Sequence, residues 1–523
     1  MNPDGISYLD VGDAFVHHDW AVGINGWWSP LYAWTLGIVV NIVKPAPQWE
    51  FPLVHAVNFA IFAFALFAFG FFLRSLLAST NQLSLPGTWA NLPESSIQLL
   101  GYAIFLWISL EVITVYDVSP DLAVSGFVYL MVGALLRLRQ TSALRHSLLL
   151  GVSLGVGYWT KAILLPVGLF SVCVALLWSR EKLWRRRLIQ AVLVFAFVAA
   201  PFIVLLSAEK HRFTFGDSGK VNYAWAMSNA PTRNWQGGQS DAGQPLHPTR
   251  LVLSSPPVYE FNGPVVGTYP PWTDPSYWNQ GIRVHFRFGR QMRVLATTVP
   301  SEARLLLRSQ PALVAEIVFL LFIGGMGVWV GVRKLWPILV IPLAGMGAFI
   351  PIIENDRYIG AFVLVFFVVL LACTRVPDQK TAKCLSVAVF IAMALGTVDL
   401  TVRIATHHPS IPGNLPTSTD DHVAVAQRLW TSGIHPGDSV AVIGDGTGAY
   451  WARLGKFHIV AEVMGMGHGA EQFWKSPEES RAKVCDTFLR ANAKIAVGAC
   501  PAEIPEGWQR IPGTPFCFRR LRD

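Results

Sequence analysis

The chain has 523 residues, 52% of them hydrophobic and only 14% charged, where an ordinary soluble protein carries about 25% charge. That deficit excludes a disordered regulator and a plain cytosolic enzyme, and points to apolar segments that need lipid around them. The net charge of +8 is not that of a nucleic-acid binder, because the Lys and Arg residues sit at the ends of apolar runs and not on a basic soluble face.

In chain order, residues 1–51 are too polar at first to span a membrane, yet Trp20, Trp27, Trp28, Tyr32, Trp34 and Trp49 crowd the stretch. Rings at that density favour the interfacial layer. Leu31 to Val43 reads as a helix lying on, or dipping into, the outer leaflet, opened by Ser29 as N-cap and Pro30 at its first position. Ten candidate spans follow, at roughly 52–73, 97–115, 120–138, 147–159, 161–178, 188–206, 312–332, 336–353, 358–374 and 382–400. The pair meeting at Tyr158-Trp159-Thr160-Lys161 is short enough to be one bent hairpin. The 207–311 stretch is long and rich in Pro, Gly and aromatic residues, a composition that suits either sugar rings or burial against the membrane surface. From Asp420 onward the chain reads as a small α/β domain, with strands at Ser439–Ile443, His458–Val463 and Ile495–Val497 alternating with helices.

Lys and Arg in alternate connections set the orientation. One set holds fourteen, among them Arg185, Arg186 and Arg187; the opposite short connections hold only Lys161 and Arg357. The first set is therefore cytoplasmic, and residues 207–311 and 404–523 lie outside. The same rule puts Met1 outside, and a further helix upstream is the simplest way to bring it there.

Cys173, Cys373 and Cys384 lie in or beside spans as apolar filling. Cys485, Cys500 and Cys517 face an oxidising compartment, where Cys500 with Cys517 is the simplest bridge. Neither CxxC nor HExxH occurs, and the His17-His18 and His407-His408 pairs diverge on a helix, so no metal site or cofactor is indicated. Gly444-Asp445-Gly446-Thr447-Gly448 lacks the spacing of a dinucleotide fingerprint and reads as a tight strand-to-helix turn.

Ionisable groups are expensive in a bilayer, so their placement is informative. In this orientation Asp4, Asp10, Asp13, Glu111, Asp117, Asp121, Lys161, Glu354, Asp356, Arg357 and Tyr358 all reach the outer interface. Carboxylates there can act as general bases, and isolated cations can bind an anion. Each also has a plainer reading. Asn2-Pro3-Asp4-Gly5 is a good turn, Ser119-Pro120-Asp121 a good helix start, and Lys161 and Arg357 good headgroup anchors.

The ordered set of Asp4-Gly-Ile-Ser-Tyr8, Ser119-Pro120-Asp121, Gly151-x3-Gly155 running to Thr160-Lys161, and Glu354-x2-Arg357-Tyr358 resembles the GT-C class of membrane glycosyltransferases. Within it, the pattern is similar to the protein O-mannosyltransferase and aminoarabinose-transferase branch over about residues 1–400. The apolar runs and charge count give a polytopic, mainly helical fold of about ten spans, GT-C-like by this resemblance, in the plasma (inner) membrane, and the composition after Asp420 adds a C-terminal extracytoplasmic α/β domain. The chain then divides into an outer catalytic loop with interfacial helices (1–51), membrane helices (52–206), an extracytoplasmic loop (207–311), membrane helices (312–403) and the α/β domain (404–523). The resemblance implies a polyprenyl-phosphate sugar as donor and an envelope glycan, lipid or protein as acceptor. Asp4 would be the base or acceptor-orienting carboxylate, with Asp121 and Asp10 as further catalytic candidates. Tyr8, Asp117, Lys161, Glu354, Arg357 and Tyr358 would bind substrate, the two cations near the donor phosphate. Where the branch has a Glu-Lys-Pro-Pro-Leu-like stretch, this chain has Trp28-Ser29-Pro30-Leu31, without the second carboxylate and lysine. A transporter or flippase of lipid-linked sugars is the alternative; it would place charge near mid-span and show paired repeats, and no convincing repeat is present.

Overall fold

The computed structural model describes residues 1–81, 90–178, 181–228, 230–237, 242–246, 249–261, 266–352, 355–376, 378–406, 418–464 and 469–522. The chain is a multi-pass membrane protein: among the described residues, six helices are long and apolar enough to cross a bilayer, among them Pro47–Thr80, Asp121–Thr141, Lys182–Glu209 and Asp356–Cys373. Leu144–Thr160 and Leu164–Trp178 are shorter and stay distinct, separated by a turn at Lys161. The break expected at Arg333-Lys334 does not form. Pro311–Phe349 runs through those residues and is interrupted instead at Gly325, where φ is 43°. Val, Arg, Lys and Leu at 332–335 all tolerate a helix, whereas a glycine supplies the positive φ at no steric cost.

The bundle is held by close packing of small residues against neighbouring helices, as expected where lipid removes the hydrophobic drive. On Leu144–Thr160, a Cβ at Gly151 would lie 2.5 Å from the Ala191 carbonyl oxygen, and one at Gly155 2.5 Å from Val198 Cβ. The Gly151-x3-Gly155 spacing therefore serves contact with Lys182–Glu209, and this contact fixes where Lys161 emerges.

Residues 1–51 contain more helix than their polarity suggested. Asn2 caps the helix Pro3–Val16, its side chain accepting from Gly5 N at 3.0 Å, with Pro3 opening the helix and Asp4 in its first turn. The helix Pro30–Val43 follows as expected, with Ser29 at its N-cap position. The Ser29 hydroxyl does not cap it, and instead accepts from Ala162 N at 3.1 Å, tying this segment to the Lys161 turn. The two helices cross backbone to backbone. A Cβ at Gly37 would sit 2.2 Å from the Gly12 carbonyl oxygen, and one at Gly12 2.4 Å from that of Ala33.

The C-terminal domain has the expected strands Ser439–Ile443, His458–Val463 and Ile495–Ala499, parallel to one another, with the third of these extended by antiparallel Phe516–Arg520. Cys500 and Cys517 form a disulfide across that last pairing. The sheet does not stop at the domain. A hairpin from the long loop, Thr249–Ser254 and Pro257–Phe261, adds antiparallel to His458–Val463, so one seven-stranded sheet joins residues 207–311 to the C-terminal domain.

Because the Gly12–Gly37 crossing leaves no room for a methyl group, Gly37→Ala should destabilise by roughly 1–3 kcal/mol. A melting temperature in detergent lower by a few degrees checks this, and an unchanged melt would mean the crossing has slack.

Candidate active site

Four helix ends and one loop meet over a cavity of ≈ 430 Å³. The first two turns of Pro3–Val16 supply Asp4 and Tyr8, the start of Asp121–Thr141 supplies Asp121, the end of Leu144–Thr160 supplies Lys161, and the start of Asp356–Cys373 supplies Arg357 and Tyr358. Residues 215–222 close another side, with Lys220 and Asn222 on the helix Ser218–Ser228.

The charged groups alternate in sign. Lys161 Nζ lies 2.6 Å from Asp121 Oδ1, and Arg357 Nε lies 3.5 Å from Asp121 Oδ2. Arg357 Nη2 lies 2.8 Å from Asp4 Oδ2, and Nη1 3.7 Å from Asp117 Oδ2. Asp121 is only 3% exposed, and a buried carboxylate is tolerable only with such partners. Lys161 Nζ also sits 3.5 Å above the Tyr358 ring, a cation–π contact that directs the ammonium into the cavity. Burial pushes the Asp117 carboxyl up, the Arg357 charge opposes this, and Asp4 and Asp121 add to it. Burial likewise raises the Tyr8 hydroxyl well above its usual value, so Tyr8 stays neutral.

Asp4 has one partner from the long loop. Trp272 Nε1 donates to Asp4 Oδ1 at 3.2 Å. The Pro270–Thr273 turn that carries Trp272 is pinned to the N-terminal segment through its carbonyls. Trp272 O accepts from Ser7 Oγ at 2.9 Å and from Trp28 Nε1 at 3.1 Å, and Thr273 O accepts from Asn25 Nδ2 at 2.9 Å.

Asp10 must be corrected as a member of this site. Six residues after Asp4 on one helix, it points to a different face and does not line the cavity. Thr268 donates to it from N at 2.7 Å and from Oγ1 at 3.0 Å, and Arg453 Nη1 of the C-terminal domain lies 3.0 Å away. Arg453 also reaches Asp13 at 2.5 Å and Glu50 at 3.4 Å, while Tyr450 donates to Glu50 at 3.1 Å. Burial works against the charge on Arg453, but Glu50, Asp13 and Asp10 together hold its pKa above the ordinary value. Glu354 lies outside the described residues. Trp27, Trp28, Lys220, Trp272 and Arg453 were not among the expected site residues. Trp27 and Trp28 stand out in the sequence as interfacial rings, but nothing local assigns them or the others to this site, because contacts at this sequence separation leave no local pattern.

The Gly444–Gly448 stretch is the tight turn expected, with Gly446 N donating to the buried Glu462 at 3.0 Å. Glu462 also accepts from Tyr269 OH at 2.8 Å, beside the Arg233–Asp445 pair at 2.7 Å. Burial pushes the Glu462 carboxyl up to about 7, Asp445 acting in the same direction and Gly446 N–H, the Tyr269 hydroxyl and Arg233 against it. Among the described residues, no group of three or more His, Cys, Asp or Glu is arranged to hold a metal ion.

No family model matches the chain, and no curated protein matches it. Among solved structures, it is similar to ArnT from Cupriavidus metallidurans bound to undecaprenyl phosphate, with a TM-score of 0.52 at 11% identity over 100% of this chain and 94% of that one. The apo state of ArnT from the same organism gives a TM-score of 0.39 at 12% identity, over 95% and 88%. The chain shares the fold of that undecaprenyl-phosphate-bound ArnT structure. With that fold, the cavity at the meeting of helix ends and long loop is the feature on which a function must be built.

Two outcomes follow. Arg453→Ala leaves Asp10 and Glu50 buried without their cation, a loss of about 3–5 kcal/mol; hydrogen exchange in Pro3–Val16 should speed up, and unchanged exchange would free Arg453 of this role. Glu462 has a folded pKa above its unfolded value of about 4.5, so its contribution is fully present below about pH 4.5 and is lost as pH rises through about 7. The melting temperature should therefore fall between pH 5 and 8 and flatten in Glu462→Gln; equal slopes in the two proteins would contradict it.

Proposed function

We propose that the protein is an inverting membrane glycosyltransferase that moves a sugar from a polyprenyl-phosphate carrier to a hydroxyl on an envelope glycan, lipid or protein, at the outer face of the plasma membrane. The observation that carries this reading is the convergence of Asp4, Asp121, Lys161 and Arg357, from separate stretches of chain, in one ion-paired cluster lining the cavity, with Asp117 behind Arg357 and outside the lining. The fold likeness to a protein bound to undecaprenyl phosphate supports the carrier class. A flippase would need charge near mid-span, whereas these groups lie at helix ends.

The chemistry follows from the groups. As the carrier phosphate leaves, its oxygen takes the electron pair of the bond to the anomeric carbon, and the ring becomes oxocarbenium-like. Lys161 and Arg357 stabilise the departing anion, with Lys220 a further cation on the cavity wall. Asp121 neither donates nor accepts a proton here; held between Lys161 and Arg357, it positions both. Asp4 takes the proton of the acceptor hydroxyl as that oxygen bonds to the anomeric carbon from the opposite face, which inverts the centre. The Trp272 N–H on Asp4 Oδ1 orients the carboxylate, and in the resting site Arg357 neutralises it until the donor phosphate competes for the guanidinium.

Reconstituted protein supplied with radiolabelled undecaprenyl-phosphate hexoses or pentoses and extracted envelope fractions should release the lipid phosphate and label an acceptor. Asp4→Asn should lower transfer at least about 100-fold while still inserting into the membrane. Full activity in that variant removes Asp4 from the mechanism, and failure of the native protein with every such donor overturns the reading.

A further inference from the structure

The helix Phe288–Ser309 takes no part in the chemistry above, and its three faces differ sharply. Gln291, Thr298 and Glu302 are buried against the protein. Phe288, Met292, Ala296, Val299, Ala303 and Leu307 are all exposed, and they recur at spacings of three and four, which places them on one side. Phe288 is 67% exposed and Leu307 53%. Beside that apolar side stand Arg293, Arg304 and Arg308, also exposed. The only carboxylate of the helix, Glu302, is 3% exposed and faces inward, so the outward surface is cationic and apolar with nothing acidic between.

The helix meets the apolar helix Leu313–Gly325 at a bend of 102°, so if that helix enters the membrane, Phe288–Ser309 runs along the surface at its point of entry. At that depth Phe288, Met292, Val299 and Leu307 reach the acyl boundary and the arginines lie among headgroups. The exposed apolar helix Pro30–Val43 contains no basic residue, so an arginine row does not come with every exposed apolar helix of this chain.

We propose that Phe288–Ser309 is a docking surface for the anionic phospholipid headgroups of the bilayer, held by Arg293, Arg304 and Arg308. Phosphodiester groups suit the guanidinium fork, and cations at the surface add to the apolar burial of the helix. The helix also supports the cavity. Gln291 Nε2 donates to Pro351 O at 2.8 Å, Tyr223 OH to Gln291 Oε1 at 3.3 Å, and Arg290 Nε to Ala226 O at 2.7 Å. Tyr223 and Ala226 belong to Ser218–Ser228, which carries Lys220 and Asn222. Lipid held here sits beneath two walls of the cavity. The inference does not depend on glycosyl transfer.

The full-length protein, delipidated in detergent and equilibrated with equal amounts of phosphatidylcholine and phosphatidylglycerol, is analysed for retained lipid by mass spectrometry. Phosphatidylglycerol should be enriched about ten-fold over phosphatidylcholine, and R293Q/R304Q/R308Q should lose most of that enrichment. R293K/R304K/R308K, which keeps the charge, should keep most of it. Enrichment that survives the glutamine variant, retention of both lipids in proportion, or loss in both variants would each overturn the proposal, as would self-association of the native protein that buries this face in place of lipid.

Discussion

The contact between Arg357 and Asp4 spans 353 residues of sequence and closes the site. Each group alone would be costly in a partly dehydrated pocket, and together with Asp121 and Lys161 they form a row of alternating charges in which each carboxylate has a cation. The row has geometric consequences. Asp4 belongs to a short helix with no span of its own, Asp121 and Arg357 open spanning helices, and Lys161 closes a third helix. A charge row that satisfies all four can form only when those ends lie together, so the cluster both depends on the bundle and constrains it.

The helices around the row were readable in the sequence for physical reasons. Apolar runs bounded by basic residues mark spans, and alternating strands and helices after Asp420 mark the α/β domain, because both signals are local. Pro3–Val16 was less readable: Asn2-Pro3-Asp4-Gly5 opens a helix as readily as it makes a turn, and only its contact with Pro30–Val43 decides between them. The break at Gly325 is hard to place from the sequence for a similar reason. Charge at Arg333-Lys334 suggested a connection, but charge does not end a helix; a glycine in a positive-φ conformation does.

The cavity was legible in its charges and opaque in its walls. Asp4, Asp121, Lys161 and Arg357 stood out because ionisable groups near a membrane are rare. Trp272, Trp27 and Lys220 did not stand out as part of the site, since a tryptophan in a long loop has many possible neighbours and nothing local tells which carboxylate its N–H will meet. Asp10 misled in the opposite way. It shared the side of the membrane and the helix of Asp4, but a separation of six residues turned it to Arg453.

That turn gives Asp10 a different importance. The helix Pro3–Val16 is gripped at both ends, by Arg357 on Asp4 and by Arg453 on Asp10 and Asp13, while Trp272 O and Thr268 hold its flank. Arg453 comes from the C-terminal domain, and Thr268 and Trp272 from the long loop that shares its sheet through Pro257–Phe261 and His458–Val463. A helix of fourteen residues is marginal by itself, so these grips fix where Asp4 stands. The α/β domain and the loop are therefore one body that clamps the Asp4 helix from above while the membrane helices present Lys161 and Arg357 from below. An arginine buried between three carboxylates of the N-terminal segment ties the C-terminal domain to the helix that carries Asp4.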